Sequence, residues 1–291
     1  MDYNINFPNL HIFFEHVGKF IMVGDFKIAY YGMVIAAGML GAIMLAIHLA
    51  KKMGQDSDKY YDIAIVAIVS AIIGARLYYV AFQWDYYKDD LTKIFNIREG
   101  GLGIYGGIIL ATICVCAYAK LKNMKIGPIA DAIGPAVAFG QCVGRWGNFF
   151  NREAFGGYTD NLFAMQLPVS AVRSGEITAE LRENIVVLDG VSYIQVHPTF
   201  LYESLWNLCV VIYLVCYIKH RKFDGEVFLL YLFTYGAGRF WIESLRTDQL
   251  LIPGIGVPIS QVVAVVMMTV AVVWIVWKRM NMKKQVVAEH E

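Results

Sequence analysis

Apolar residues in this chain come in long blocks. Seven blocks, each near the roughly twenty residues that cross a bilayer as an α-helix, run from about Lys27 to Ala50, Tyr60 to Phe82, Gly100 to Ala119, Ile126 to Phe149, Pro198 to Ile218, Glu226 to Leu245 and Gly256 to Trp277. Polar segments separate them. Residues 1 to 26 read as a short, mixed lead-in with Pro8 and an amphipathic look. Trp84 to Arg98 has the polar and aromatic composition of a membrane interface. Asn151 to Val196 is the longest polar region, with strand-like pieces at Phe163 to Leu167 and Ile185 to Leu188. It is too short to be a domain of its own and reads as a small cap. No internal repeat of useful length interrupts the series. The pattern predicts an all-α polytopic membrane protein with about seven transmembrane helices, one membrane-embedded domain over 1–291 and a cap insertion at about 151–196.

Composition agrees. Of 291 residues, 58% are hydrophobic and 17% charged, and the mean hydropathy is +0.51. A soluble domain is nearer a quarter charged. A net charge of +1 gives no reason to expect a nucleic-acid partner. The cysteines (Cys114, Cys116, Cys142, Cys209 and Cys216) all lie in apolar blocks and read as small apolar side chains. Cys114 and Cys116 do not share a helix face, which argues against a metal or disulfide role. Asp2 and Glu15, with no basic flank before a short apolar core, argue against a cleavable signal peptide.

The basic residues predict orientation. Alternate loops carry Lys51, Lys52 and Lys59, then Lys120, Lys122 and Lys125, then Lys219, Arg221 and Lys222, and the tail carries Lys278, Arg279, Lys283 and Lys284. The other loops are poorer in Lys and Arg for their length. The basic side is therefore cytoplasmic, with the C-terminus. The N-terminus, loop 83–99, the cap and loop 246–255 face outward.

That orientation sorts the polar residues inside the spans. A charge in a span costs about 2.5–3.5 kcal/mol on insertion scales and usually marks function. Arg76, Arg145, Glu203, Arg239 and Glu243 fall in outer halves. His197 lies at the outer mouth of the fifth span, and Tyr31-Gly32, Tyr105-Gly106 and Tyr235-Gly236 also fall in outer halves. Only Asp131 lies toward the inner side. A transporter needs polar groups at the midplane or through the whole depth. Here they gather in one leaflet, which favours chemistry on something reached from outside or from the outer leaflet. Tyr235, Arg239 and Glu243 stack on one helix face at a spacing of four, and Arg246 extends it. Structurally, Arg239 and Glu243 could form only a salt bridge. The acids Glu153, Glu203 and Glu243 could likewise simply balance Arg76, Arg145 and Arg239. Glycine-rich backbone beside two of the spans suggests instead a cavity in which an anionic headgroup completes the balance, and Arg suits phosphate bidentately.

The densest stretch is Gly144-Arg145-Trp146-Gly147-Asn148-Phe149-Phe150-Asn151-Arg152-Glu153-Ala154-Phe155-Gly156-Gly157. It joins glycines that allow close backbone approach to amide and guanidinium donors. A membrane helix has no need of that mixture at its end. Trp146, Phe149 and Phe150 read as interfacial anchors more than as ligands.

Gly144, Arg145, Gly147, Asn148, Phe149, Asn151, Glu153 and Gly156 fit the signature G-R-x-G-N-F-x-N-x-E-x-x-G, and the chain resembles the bacterial prolipoprotein diacylglyceryl transferases. The resemblance extends over nearly the whole chain. Tyr31-Gly32, Gly74 with Arg76, and the Gly100-Gly101 and Gly106-Gly107 pairs match family elements. So do His197-Pro198 with Leu201-Tyr202-Glu203, and Tyr235-Gly236 with Arg239, Glu243 and Arg246. It implies an enzyme of the bacterial cell membrane that moves the diacylglyceryl group of phosphatidylglycerol onto the lipobox cysteine thiol of a preprolipoprotein signal peptide. The products are a thioether and glycerol 1-phosphate. Its partners are those two substrates and the bilayer, and no cofactor or metal is implied. The resemblance assigns Arg145 and Arg239 to the lipid phosphate. Glu243 holds Arg239, and Asn148, Asn151 and Glu153 orient headgroup and loop. Tyr31, Arg76, Gly144, Gly156, His197, Glu203, Tyr235 and Arg246 complete the expected substrate site.

One departure matters. Some members carry a histidine in an H-G-G element, a natural base for the thiol, where this chain has Tyr105 in Ile104-Tyr105-Gly106-Gly107. A phenol with an ordinary pKa near 10 is a poor base at neutral pH but a good hydrogen-bond donor. Three routes stay open: arginines lower the thiol's pKa, Tyr105 is perturbed by Arg145 or Arg239, or a lipid phosphate oxygen takes the proton. His197 ranks low as a base. The rival reading is a transporter or flippase for an anionic lipid or solute.

Overall fold

A backbone in hydrocarbon must satisfy every N–H and C=O within its own segment, so long apolar blocks become helices. The computed structural model describes residues 3–96 and 100–288, without the side chains of 286–288. Asp2, and Arg98 at the end of the expected interfacial segment, lie outside the described residues. In chain order the helices are α1 (Tyr30–Lys52), α2 (Asp58–Phe82), a short α3 (Trp84–Tyr87), α4 (Ile104–Leu121), α5 (Ile126–Asn151), a five-residue α6 (Ala179–Glu183), α7 (Thr199–Tyr217), α8 (Glu226–Glu243) and α9 (Ile259–Ala288). Six of them are long and apolar enough to cross a membrane: α1, α2, α4, α5, α7 and α9. The fold is therefore that of a polytopic helical membrane protein. α8 covers the sixth expected span. Its 18 residues rise about 27 Å, near the thickness of the hydrocarbon core. Glu226, Arg239 and Glu243 put three charges within those 18 residues. α9 continues well beyond Trp277, so the basic tail is helical through Ala288.

The chain forms two compact units, one of Met1–Ala42 with Ile133–Glu291, the other of Ile43–Ala132. In the second, α2 and α4 pack with their backbones in contact. A Cβ on Gly74 would sit 2.4 Å from the carbonyl oxygen of Gly106, and one on Gly106 would sit 2.2 Å from Tyr78 Cβ and 2.3 Å from the Gly74 oxygen. Lipid supplies no hydrophobic force between helices, so close van der Waals packing over small residues holds this pair.

The first unit contains a feature that the block pattern hid. The mixed, amphipathic lead-in folds as β1 (Tyr3–Phe7), β2 (Ile12–Val17), β3 (Phe20–Val23) and β4 (Phe26–Ala29). β3 and β4 form a hairpin closed at Gly24, whose φ of +59° suits the first turn position of a two-residue hairpin loop. β1 and β2 join the cap strands β5 (Met165–Pro168), β6 (Val186–Leu188) and β7 (Val191–Val196) in one antiparallel sheet of order β2-β1-β5-β7-β6. β5 and β6 fall where the sequence looked strand-like. The register is pinned by buried amides: Asn6 donates to Gln166, Gln166 to Gln195, and Gln195 to the Thr159 carbonyl and the Asp160 carboxylate. Buried polar groups need such partners. Behind the sheet lies a core of Ile5, Phe7, Met165, Leu167, Leu181, Ile194, Val196 and Phe200, and it includes Phe149 and Phe155 from the dense stretch. Phe149 thus anchors the cap, not the membrane interface.

The α2–α4 contact generates a prediction. Gly106→Leu forces the helices apart and should destabilise the protein by about 1–3 kcal/mol, as overpacking does. Gly175→Ala, with nothing within 4 Å of the new Cβ, should change stability by less than about 0.5 kcal/mol. Thermal unfolding in detergent separates the two, and equal midpoints would remove the claim that these backbones touch.

Candidate active site

The dense stretch ends α5 and turns sharply into the cap. Arg152 and Ala154 both take left-handed backbone conformations, φ +55° and +58°, which cost L-residues roughly 1–2 kcal/mol each. Their surroundings impose the turn. Phe149 and Phe155 are buried in the cap core on either side of it. Arg152 donates to the carbonyls of Phe150 and Val17, and the Thr199 hydroxyl donates to the Ala154 carbonyl. Gly156 pairs with the strand-like backbone at Arg246, its N–H donates to the His197 carbonyl, and Gly157 donates to Leu245. A Cβ on Gly156 would lie 2.7 Å from His197 Cβ and 2.8 Å from the Leu245 oxygen. Gly156 is thus required by this three-way backbone contact.

That contact brings the ends of α5, α7 and α8 together, and with them the charged residues. Glu203, 3% exposed on α7, is the centre. Its Oε2 lies 2.7 Å from Arg145 Nε, and its Oε1 lies 3.2 Å from Arg239 Nη1 and 3.8 Å from Arg246 Nη1. Arg239 Nη2 is 2.6 Å from Glu243 Oε2, a close ion pair in which that oxygen has no aligned hydrogen bond. Arg246 makes a bidentate pair with Asp248, Nε to Oδ1 at 2.9 Å and Nη2 to Oδ2 at 2.7 Å. Burial works against the charge of Arg246, but Asp248, followed by Glu203 and Glu243, outweighs it and holds the pKa above the usual arginine value. Burial also raises the Asp248 carboxyl, and its bonds with Arg246 more than reverse this and hold it below the usual carboxylate value. Arg145, Arg239 and Arg246 are thus matched by Glu203, Glu243 and Asp248. The match leaves donors over. Arg145 is engaged only through Nε, and its two terminal nitrogens have no partner among the described residues. The Nε of Arg239 is likewise unpaired.

Beside this cluster, Glu153 Oε1 accepts from Asn148 Nδ2 at 3.1 Å and Asn151 Nδ2 at 3.2 Å. Its Oε2 lies 3.7 Å from Arg173 Nη2, and Arg173 Nη1 donates to Glu176 at 3.2 Å. Burial holds the Glu176 carboxyl above its usual pKa despite Arg173. The Tyr31 ring packs on Gly147, where a Cβ would meet it at 2.7 Å, and Gly144 faces Ile35. Tyr235 stacks on Tyr231 with ring centroids 5.7 Å apart, one turn before Arg239. His197 Nδ1 is 3.3 Å from the Tyr202 hydroxyl and 3.5 Å from Asn161 Nδ2. Burial lowers its pKa, so its ring is neutral at pH 7.

Arg76 and Tyr105 belong to the second unit. All five N–H donors of Arg76 are taken by carbonyls: Nε by Ile94, Nη1 by Gly100 and Gly101, Nη2 by Lys93 and Asn96. Nothing remains for a phosphate, so the expected substrate contact gives way to a loop-holding role. The positive φ of Gly100 and Gly101, +88° and +77°, turns their carbonyls to it. Tyr105 stands in the first turn of α4, and its side chain is exposed.

Sequence reasoning missed Asp248 and Arg173. Asp248 sits two residues past Arg246 in Arg-Thr-Asp, a local signal passed over because it lies beyond the span. Arg173 has only Glu176, three residues on, as a local signal, and its partner Glu153 is brought to it by the fold.

The model of the prolipoprotein diacylglyceryl transferase family matches residues 19–277. A phosphatidylglycerol–prolipoprotein diacylglyceryl transferase of Clostridium botulinum is 42% identical over 235 residues, 81% of this chain and 87% of that protein. Enzymes of the same name from Bacillus cytotoxicus and Bacillus cereus are 39% and 38% identical over 261 residues, 89% of this chain and 91% of each. The matched region spans the Arg145–Glu203–Arg239 cluster and the turn that assembles it, and the chain belongs to the prolipoprotein diacylglyceryl transferase family.

Proposed function

We propose that the chain works as one membrane-embedded transferase, with 151–196 as its cap. It takes the diacylglyceryl group of phosphatidylglycerol and places it on the lipobox cysteine of a preprolipoprotein, at the outer leaflet of the bacterial cell membrane. The observation that carries this reading is the pair of unpartnered terminal nitrogens of Arg145, fixed by Glu203 in a cluster otherwise matched in charge. A guanidinium so held offers a fork suited to one phosphate.

In the reaction the cysteine sulfur attacks the glyceryl carbon, and the bond from that carbon to the phosphate oxygen breaks. The electron pair goes to the phosphate, which leaves as glycerol 1-phosphate, and the sulfur keeps the diacylglyceryl group as a thioether. Charge grows on the leaving oxygen, and fixed donors aimed at it lower the barrier. Arg145 and Arg239 supply them. Glu203 and Glu243 set their rotamers, and Arg246 is steadied by Asp248. Asn148, Asn151 and Glu153 form a bonded group that orients the headgroup side of the loop. Tyr31 and Tyr235 shape the wall, and His197 holds Tyr202 as a neutral partner.

With purified protein, labelled phosphatidylglycerol and a lipobox peptide, label should appear on the peptide's cysteine. Movement of label without a covalent product would support a flippase instead. Arg145→Gln and Arg239→Gln should each slow transfer by about 10²–10³-fold, the usual effect of removing one donor to a developing oxyanion. Near wild-type rates in folded variants would remove the phosphate assignment.

Tyr105→Phe should slow transfer roughly tenfold, the worth of one hydrogen bond made only in the transition state. An unchanged rate would show that the ring hydroxyl takes no part.

A further inference from the structure

Glu203 holds Arg145 through one ion pair. Both side chains are long, with several rotatable bonds each, so the pair by itself does not set where α7 stands along α5. A shorter contact beside it does. Ser204 follows Glu203 on α7 and is buried. Its hydroxyl donates to the Cys142 carbonyl of α5 at 2.9 Å and accepts from Trp146 Nε1 at 3.2 Å. With that proton committed, the Cys142 thiol 3.5 Å away acts as a donor to the same oxygen. A serine hydroxyl has one proton and two lone pairs, and here all of them are used. Cys142 and Trp146 flank Arg145 in the sequence of α5. The indole is held in turn, its centroid 6.0 Å from the Phe149 ring of α5 and 5.3 Å from the Phe200 ring of α7. On its other side α7 is tied to α8 separately, by Trp206 Nε1 donating to the Thr234 carbonyl at 2.9 Å.

We propose that Ser204 and Trp146 are positioning residues for the transfer. They hold α7 against α5 at the register in which the Glu203 carboxylate turns the free terminal nitrogens of Arg145 toward the lipid phosphate. The inference rests on the transferase reading. Arg145 is engaged only through Nε, so the direction of its remaining donors follows wherever Glu203 Oε2 stands. A slide of α7 along α5 leaves the ion pair intact and re-aims the fork. Rates are sensitive to such shifts, since a displacement of about 1 Å can cost about a hundredfold. Arg239 does not share this control. Glu243 holds it within α8, and Trp206 ties that helix to α7, so a slide against α5 leaves its contact with Glu203 in place. Ser204 and Trp146 therefore act on one of the two phosphate donors. Trp146, which reads in the sequence as an interfacial anchor, has a second task through its N–H.

The test uses the full-length protein in detergent, labelled phosphatidylglycerol and a lipobox peptide. Ser204→Ala should lower kcat about tenfold, as a fraction of an ångström of misplacement does. Trp146→Phe keeps a ring and removes the N–H. Its side chain is 40% exposed, so this variant folds even where Ser204→Ala does not, and it should lower kcat about threefold, the worth of one neutral hydrogen bond. Double-mutant cycles then separate aiming from general loosening. With Arg145→Gln already present, neither substitution should cost more than about twofold further, because the guanidinium that they aim is gone. With Arg239→Gln present, each should keep its full factor. An equal factor in wild-type protein and in both arginine variants marks a loss of folded protein and overturns the proposal. A factor that vanishes in both arginine variants overturns the assignment to Arg145. Wild-type rates in Ser204→Ala and Trp146→Phe, with Arg145→Gln slow, overturn the positioning role and leave the transferase reading standing. Absence of transfer by the wild-type protein overturns both.

Discussion

The carboxylate of Glu203 is the constraint on which the site depends. Three guanidinium groups from α5, α8 and the segment after α8 lie within 4 Å of it. Without that charge the three cations would repel one another in a setting that screens them poorly. A buried ion pair rarely adds much stability over an apolar substitute, but removing one member leaves the others uncompensated at a cost of several kcal/mol. Stability is therefore not what the arrangement is for. It fixes where arginine donors stand before any ligand arrives, and pre-set dipoles are what lower a barrier at which charge develops.

The fold makes that convergence possible through backbone contact instead of side-chain packing. The turn at 152–157 is stitched to His197 on one side and to Leu245 and Thr247 on the other by main-chain bonds. The cap core holds Phe149 and Phe155 at either end of the turn. The cap thus positions the motif's helix end, and the N-terminal strands belong to the site's scaffold although they contain none of the proposed catalytic residues.

Much of this was legible in the sequence, and what was not has identifiable reasons. The apolar blocks gave the membrane helices, because a period is unnecessary when a helix is apolar on every side. α8 was legible by the same rule despite its charges. The strands of the lead-in were not legible because Phe20-Ile21-Met22-Val23 runs without alternation and Phe26 to Ala29 is interrupted only by Lys27, so the period-two signal of β1 (Tyr3, Ile5, Phe7 against Asn4, Asn6) stood alone. The spacing of Arg239, Glu243 and Arg246 showed one helix face. It could not show that Glu203, far away in the chain, is the shared acceptor. Arg76 illustrates the opposite failure. A charge in a span usually marks function, yet backbone carbonyls from a glycine-rich loop can absorb a guanidinium completely, and sequence alone does not distinguish a carbonyl cage from a phosphate.

The charge count bears on the fate of the thiol's proton. Arg145, Arg239 and Arg246 are offset by Glu203, Glu243 and Asp248. A bound phosphodiester therefore takes the cluster to net negative, and a net negative neighbourhood raises a thiol's pKa. Arginine-assisted ionisation of the cysteine is thus the weakest of the three routes that the missing histidine leaves. Passing the proton to the departing phosphate oxygen has the opposite merit. The leaving group would otherwise acquire a second charge beside Glu203 and Glu243, and a proton moving from sulfur to oxygen as the carbon–oxygen bond breaks keeps the net charge constant throughout. In a site whose charges are matched before the lipid enters, the route that creates no new charge is the one that the electrostatics favour.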